Sequence, residues 1–128
     1  MHNQVRQWAG QGFLAALFDL LIDHGFAVFL TSDHGNIETA GCGQPREGAA
    51  ADLRGERVRV YPDPALRGRV EERFPGAIAW PPVGLPDNYL ALIAPGRSSF
   101  VRPSERPVAH GGITLEEVIV PLVRIDRK

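Results

Sequence analysis

Cysteine is almost missing from this chain, and lysine is equally rare. Cys42 is the only cysteine among 128 residues, so an internal disulfide is excluded and a reducing, cytoplasmic setting is expected. Lys128 is the only lysine. The 14 basic and 15 acidic side chains nearly cancel to a net charge of −1, which gives no bulk electrostatic reason to expect nucleic-acid binding.

Long apolar runs are also absent. No stretch approaches the roughly 20 apolar residues that a membrane-spanning helix needs. The first nine residues are polar, so no signal peptide is predicted either. Hydrophobic residues nevertheless make up 44% of the chain, which is enough to bury a core. We expect one soluble domain, residues 1–128, and no membrane partner.

The first half of the chain predicts an α-to-β unit. Apolar residues recur at helical spacing over residues 5–24, and Gly25 suits a left-handed helix end. Residues 26–30 are apolar at every position, which is typical of a strand buried on both faces in the centre of a parallel sheet. The fold class is therefore α/β, and in such sheets ligands bind beyond the carboxyl ends of the strands.

The second half predicts shorter elements. Residues 36–55 are rich in glycine and alanine and indicate a long loop. Residues 57–61 alternate as a strand with one wet face, so Arg57 and Arg59 are expected on its solvated side; a phosphate-binding face that also includes Arg54 is the alternative. The remaining expectations are a helix at 62–74, strands at 77–80 and 89–94, a hairpin return at 99–102 and a helix opened by a capping box at 114–117. A last strand is expected at 118–125, where Pro121 indicates an edge position or a bulge.

Two stretches carry chemistry. Asp33 and His34 come just after the apolar run and offer one oxygen and one nitrogen ligand to a divalent metal such as zinc or manganese. The second stretch is His110 followed by two glycines, which allow the backbone to pass close to a metal or phosphate. Both stretches are also good turn formers, so a purely structural turn is the alternative for each.

Three segments resemble the PglZ domain family of bacterial phage-defence systems, within the alkaline phosphatase superfamily. They are TSDHGNIE at 31–38, RGERVRVY at 54–61 and HGGITLEEVIVP at 110–121. The Asp-His-Gly element is shared across the superfamily, and the third segment is the one that points to PglZ. The resemblance implies a three-layer α/β/α fold with a two-metal phosphoryl-transfer site. It assigns Asp33 and His34 to one metal and His110 to the other.

The resemblance also implies that something is missing. The superfamily's nucleophile, and an Asp and His that complete the second metal site, belong upstream of the matching segments. We therefore expect the chain to be the C-terminal half of a PglZ domain, inactive alone, with no catalytic residue of its own. The alternative is a non-catalytic scaffold that keeps the fold. Self-association or an upstream domain should cover the bare sheet, and other phage-defence proteins are possible partners.

Four further side chains are weaker candidates. Glu38 can orient a ligand histidine, or it is an ordinary loop acid. Arg102 and Arg106 can approach a substrate phosphate, although loop solubility is the simpler explanation. Cys42, between two glycines, is either a soft ligand or a small loop residue.

Overall fold

The computed structural model describes residues 2–50 and 56–127. The elements in chain order are α1 (His2–Gly10), α2 (Phe13–Asp23), β1 (Val28–Thr31), β2 (Ile37–Glu38), β3 (Ala40–Gly41), β4 (Ala49–Ala50), β5 (Val58–Tyr61), α3 (Pro64–Arg73), β6 (Ile78–Ala79), β7 (Leu90–Ile93), β8 (Ser98–Ser99), β9 (Val108–Ala109), α4 (Leu115–Val118) and β10 (Leu122–Ile125). This mixture of helices with small sheets confirms the α/β class. The chain divides into a first unit, Met1–Ser32 with Pro121–Lys128, and a second unit, Asp33–Val120.

Glycines shape the helices of the first unit. The single helix expected over residues 5–24 is wrong, because Gly12 adopts φ +81° and separates α1 from α2. The predicted end of the helix at Gly25 is confirmed, with φ +80°. There the Phe26 amide donates to the Leu21 carbonyl at 3.0 Å and the Gly25 amide donates to Ile22 at 3.0 Å. Those two bonds satisfy the last carbonyls of α2 in a Schellman arrangement.

The apolar run of residues 26–30 forms a strand, but its surroundings differ from the prediction. β1 pairs antiparallel with β10, from Val28 opposite Ile125 to Thr31 opposite Leu122. Val28 is buried, whereas Phe29 is 57% exposed and Leu30 is 47% exposed. The expected parallel pairing and two-sided burial are therefore wrong for the described residues. An unbroken apolar run indicates that both faces of a strand favour shielding from solvent, but it does not specify the direction of the neighbouring strand.

The second unit is built on a four-stranded antiparallel sheet in the order β4-β5-β7-β6. All four residues of β7 are buried. α3 packs against β5 and β7, and its Val70 is fully buried beside Tyr61, Leu92 and Phe100. Asp63 caps α3 by accepting a hydrogen bond from the Leu66 amide at 2.9 Å. The predictions of strand, helix, strand and strand between residues 57 and 94 are confirmed in type and order.

Three other predictions need correction. The loop expected at 36–55 contains β2, β3 and β4, while residues 51–55, including Arg54, lie outside the described residues. The hairpin expected at 99–102 is wrong, because β8 pairs in parallel with β3. The last strand begins only after Pro121, since the capping box at Thr114 opens a short helix first and proline cannot donate to a ladder. Within the described ranges, no helix has the length and apolar character that crossing a membrane requires.

Candidate metal centre

A short antiparallel ladder brings the two chemical stretches together. β2 pairs with β9, so that Ile37 lies opposite Ala109 and Glu38 lies opposite Val108. Ile37 and Ala109 are both buried and anchor the ladder. His110 directly follows β9, and the segment with His34 leads directly into β2. The two histidines, far apart in the chain, are thus carried to the same end of one ladder.

The rings of His34 and His110 stack on each other. Their centroids are 3.8 Å apart and their planes differ by 16°. The His34 side chain is 40% exposed, so the stack remains open to solvent. The structure therefore places side by side two of the three residues that the sequence proposed as metal ligands.

Asp33 completes the local geometry around His34. Its Oδ2 lies 3.6 Å from Nε2 of His34, and its Oδ1 accepts a hydrogen bond from the His34 amide at 3.0 Å. Nδ1 of His34 is 2.7 Å from the Gly35 carbonyl, which can only accept a hydrogen bond. Nδ1 must then carry a proton, which leaves Nε2 as the ring nitrogen available to a metal.

These positions fit a divalent metal as a partial ligand set. Two ligands of a tetrahedral zinc ion lie about 3.4 Å apart, which is close to the observed separation of Asp33 Oδ2 and His34 Nε2. The rings of His34 and His110 lie in nearly parallel planes, so an ion in the plane of one ring lies outside the plane of the other. Among residues 2–50 and 56–127, no three His, Cys, Asp or Glu side chains converge closely enough to hold an ion.

The remaining candidates from the sequence lie on exposed surfaces. Glu38 is exposed on β2, across from Val108. Arg102 contacts Glu105 at 3.9 Å, and its side chain is 79% exposed. Arg106 donates to the carbonyls of Pro103 and Glu105 at 3.1 and 3.0 Å. The contacts of both arginines are thus with the exposed turn that carries them, as expected for solubility.

Cys42 behaves as a loop residue. Its Sγ donates to the Ser99 carbonyl at 3.2 Å. Desolvation raises the pKa of the thiol, and this outweighs the opposing effects of a backbone hydrogen bond and Arg57. Because metals bind the thiolate, a raised pKa argues against Cys42 as a soft ligand.

The sequence prediction missed a buried ion pair behind the histidines. Arg57 and Glu117 are each 1% exposed at the side chain, so the expected solvated position of Arg57 is wrong. Nε and Nη2 of Arg57 donate to the two carboxylate oxygens of Glu117 at 3.0 Å each. Nη1 of Arg57 donates to the carbonyls of Ser98 and Ala94. Arg59 is buried as well, with its Nε donating to Glu56 Oε2 at 2.7 Å.

The sequence held one signal for this pair. In the capping box that the sequence predicted at Thr114, the carboxylate of Glu117 turns back toward the helix start and accepts from the Thr114 amide at 3.2 Å. The alternating pattern at 57–61 is what misled the prediction for the arginines. Strict alternation separates two faces, but it does not reveal that a guanidinium face is covered by partners from distant segments.

The pKa of Glu117 shows which effect dominates in this network. Burial alone raises the pKa of the carboxyl group. Hydrogen bonds from Arg57, Gly112 and Thr114 stabilise the carboxylate and together lower the pKa from 4.5 to about 2. Glu117 is therefore ionised at neutral pH, and the buried negative charge is matched by Arg57.

Comparison with known proteins agrees with the residue patterns. A family model described as the BREX system PglZ alkaline phosphatase-like domain matches residues 1–125. No curated protein matches the chain. No solved structure matches it either. The family match covers both the Asp33-His34 and the His110 segments and almost all of the chain. The chain therefore belongs to the PglZ family, the alkaline phosphatase-like domain of BREX phage-defence systems.

Proposed function

We propose that this chain contributes to a two-metal phosphoryl-transfer site. Asp33 and His34 bind one divalent ion, and His110 binds the second. The observation that carries this proposal is the stack of His34 on His110, whose ring centroids are 3.8 Å apart, because it brings one imidazole from each segment to the same solvent-open site. Zinc and manganese are the proposed ions because carboxylate and imidazole ligands suit them.

In this proposal the chain's own residues hold the ions and orient the metal ligands. When bound, the ions would stabilise charge on the phosphoryl oxygens as Lewis acids. The Gly35 carbonyl accepts a hydrogen bond from Nδ1 of His34 and so holds the ring with Nε2 toward Asp33. The Asp33 side chain is 87% exposed, which leaves the metal side of the pair open to a phosphate ester.

We also propose that this chain represents the C-terminal half of a PglZ domain. Three ligands shared between two ions leave each ion with too few protein ligands for tight binding. The described residues hold no larger group of metal-binding side chains, which supports a contribution from residues outside this chain. Under this proposal the nucleophile and the remaining Asp and His ligands come from that other part of the domain, and the chain alone is inactive.

A scaffold function is the second candidate, and one observation favours it. Large apolar side chains of the first unit are exposed, among them Phe13 at 60%, Phe26 at 62% and Leu122 at 72%. Such a surface is typical of a protein that associates with a partner. Phosphomonoester and phosphodiester assays on the 128-residue chain, and on a chain extended upstream, separate the two candidates. Activity that appears only on extension supports the enzyme, and its absence from both chains supports the scaffold.

Calorimetric titration tests the metal claim. Zinc and manganese should release heat on binding to the wild-type chain, and this heat should be lost in the double variant Asp33→Ala/His34→Ala. The matched control is His24→Ala, because His24 closes α2 with its Nδ1 against the Leu20 carbonyl and takes no part in the proposed site. The control should titrate like the wild type. Equal heats for the wild type and the double variant would exclude the site.

A further inference from the structure

Two backbone amides beside the stacked histidines donate to the same residue. The Gly112 amide, two residues after His110, donates to Glu117 Oε1 at 2.8 Å. The Gly35 amide, next to His34, donates to the backbone carbonyl of Glu117 at 2.8 Å. Glu117 is therefore the common attachment point of the two segments that carry the histidines.

Close packing makes this attachment specific. A Cβ added at Gly112 would collide with the Arg57 guanidinium and the Glu117 carboxylate. A Cβ added at Gly35 would collide with the Glu116 carbonyl. Both segments thus approach the Glu117 region more closely than any side chain would allow, and a shift of Glu117 must move them.

Arg57 connects this point to the central sheet. Its carbonyl accepts from the Ala94 amide at 2.8 Å, at the end of β7, and its guanidinium also contacts the Ser98 and Ala94 carbonyls. A planar guanidinium that forms two parallel bonds to one carboxylate fixes the orientation of both partners. The buried sheet therefore fixes the position of Arg57, and Arg57 fixes the position of Glu117. Glu117 in turn holds both histidine segments.

Glu117 itself has no capacity left for a metal. Its two carboxylate oxygens accept from five donors: Nε and Nη2 of Arg57, the Gly112 amide, the Thr114 amide and the Thr114 hydroxyl. A carboxylate offers about four lone-pair sites. The carboxylate is therefore fully used inside the protein, and its influence on the site is through geometry.

We propose that the Arg57–Glu117 pair is a positioning pair, which holds the His34 and His110 segments so that their rings stack beside each other at the proposed metal site. That this arrangement of the two rings serves metal binding rests on the proposed function. The geometry itself can be measured in the metal-free chain.

The test compares Glu117→Gln with Glu56→Gln. Glu56 forms a neighbouring pair with Arg59, and their side chains are 12% and 9% exposed, respectively. The guanidinium of Arg59 donates to the carbonyls of residues 47 and 48 and not to the histidine segments. In the metal-free chain, nuclear Overhauser contacts between the His34 and His110 rings should be present in wild type and in Glu56→Gln. They should be lost in Glu117→Gln at a temperature where circular dichroism shows all three chains folded.

Zinc affinity is the second readout. We expect Glu117→Gln to bind zinc at least tenfold more weakly than wild type, as is usual when a residue that orients metal ligands is removed, and Glu56→Gln to be unchanged. Retained ring contact in Glu117→Gln would overturn the positioning role. Equal losses in Glu56→Gln would also overturn it, because general loosening would then suffice.

A milder variant covers the case in which Glu117→Gln does not fold. Thr114→Val removes one donor to the carboxylate and keeps the size of the side chain. It should weaken the ring contact and the zinc affinity in part, and a wild-type result for a folded Thr114→Val would count against the pair. A wild-type chain that shows the ring contact but no zinc heat would refute the proposed function, while the ring contact in the variants still decides the positioning role.

Discussion

Individual residues of the candidate site were predictable to different degrees. Asp33, His34 and His110 were proposed as metal ligands from local signals, namely their residue types and the adjacent glycines, and the structure brings the rings of His34 and His110 together. Arg57 was placed wrongly in solvent, because its partner Glu117 is 60 residues away in the chain. A buried charge is expensive unless it is paired, so only knowledge of the long-range pairing could have identified it.

Acid unfolding should report on Glu117. Its folded pKa of about 2 lies below the usual 4.5, so its contribution to stability is complete above pH 4.5 and is lost as the pH falls toward 2. That contribution is about 3 kcal/mol at neutral pH. Denaturant unfolding at several pH values should show a steep decline between pH 4.5 and 2 that is clearly shallower in Glu117→Gln. Exposed Glu47 and Glu116 also have lowered pKa values, but they are common to both proteins. Identical slopes would contradict the assignment.

Two glycine substitutions should change stability in opposite directions. Gly35→Ala forces a Cβ against the Glu116 backbone carbonyl and should lower the free energy of unfolding by about 1–3 kcal/mol. Gly68→Ala lies within α3 in open space and should raise it by about 0.5–1 kcal/mol, because alanine favours helix. Thermal unfolding of both variants provides the measurement. A neutral Gly35→Ala would show that the close approach at Gly35 is not maintained in solution.

At the scale of elements, helix caps that depend on local signals were predicted correctly, whereas long-range strand pairing was not predicted. The cap at Gly25, the helix after Asp63 and the capping box at Thr114 each depend on a few neighbouring residues, and all are present. The β2–β9 and β3–β8 ladders are only two residues long on each strand. Such short ladders leave no periodic pattern, so the ladder that joins the histidine segments was not predictable from sequence.

The cap of α3 gives a prediction at this scale. Asp63→Ala removes the acceptor for the Leu66 amide and should lower the free energy of unfolding by about 1 kcal/mol. Asp63→Ser keeps a capping oxygen and should remain close to wild type. Urea unfolding of the two variants measures the difference. Equal stabilities for Asp63→Ala and Asp63→Ser would show that the cap contributes little to α3.

At the scale of the whole molecule, the most prominent feature is the exposed apolar surface of the first unit. β1 and β10 form a two-stranded sheet, and Phe29, Leu30 and Val123 on it are exposed by 57%, 47% and 47%. A two-stranded sheet is marginal alone, and among the described residues its outer edges pair with no further strand. The sequence predicted a bare apolar sheet, and this exposure agrees with that prediction.

We expect the 128-residue chain to cover this surface with a second copy of itself, as a symmetric dimer. Light scattering should show dimers whose fraction rises with concentration. Phe29→Lys should shift the equilibrium toward monomer, because it places a charge within the apolar sheet. Leu115→Lys is the matched control: Leu115 is 73% exposed on α4 in the second unit, so this variant should dimerise like wild type. A clean monomer at high concentration would contradict the expectation.

Diffraction from crystals grown with zinc is the decisive test of the metal site at Asp33 and His34, since anomalous scattering locates the metal without assumptions about activity. We predict a zinc peak within about 2.0–2.2 Å of both Asp33 Oδ2 and His34 Nε2, and the loss of that peak in His34→Ala. Zinc bound elsewhere in the chain, with none between Asp33 and His34, would contradict it.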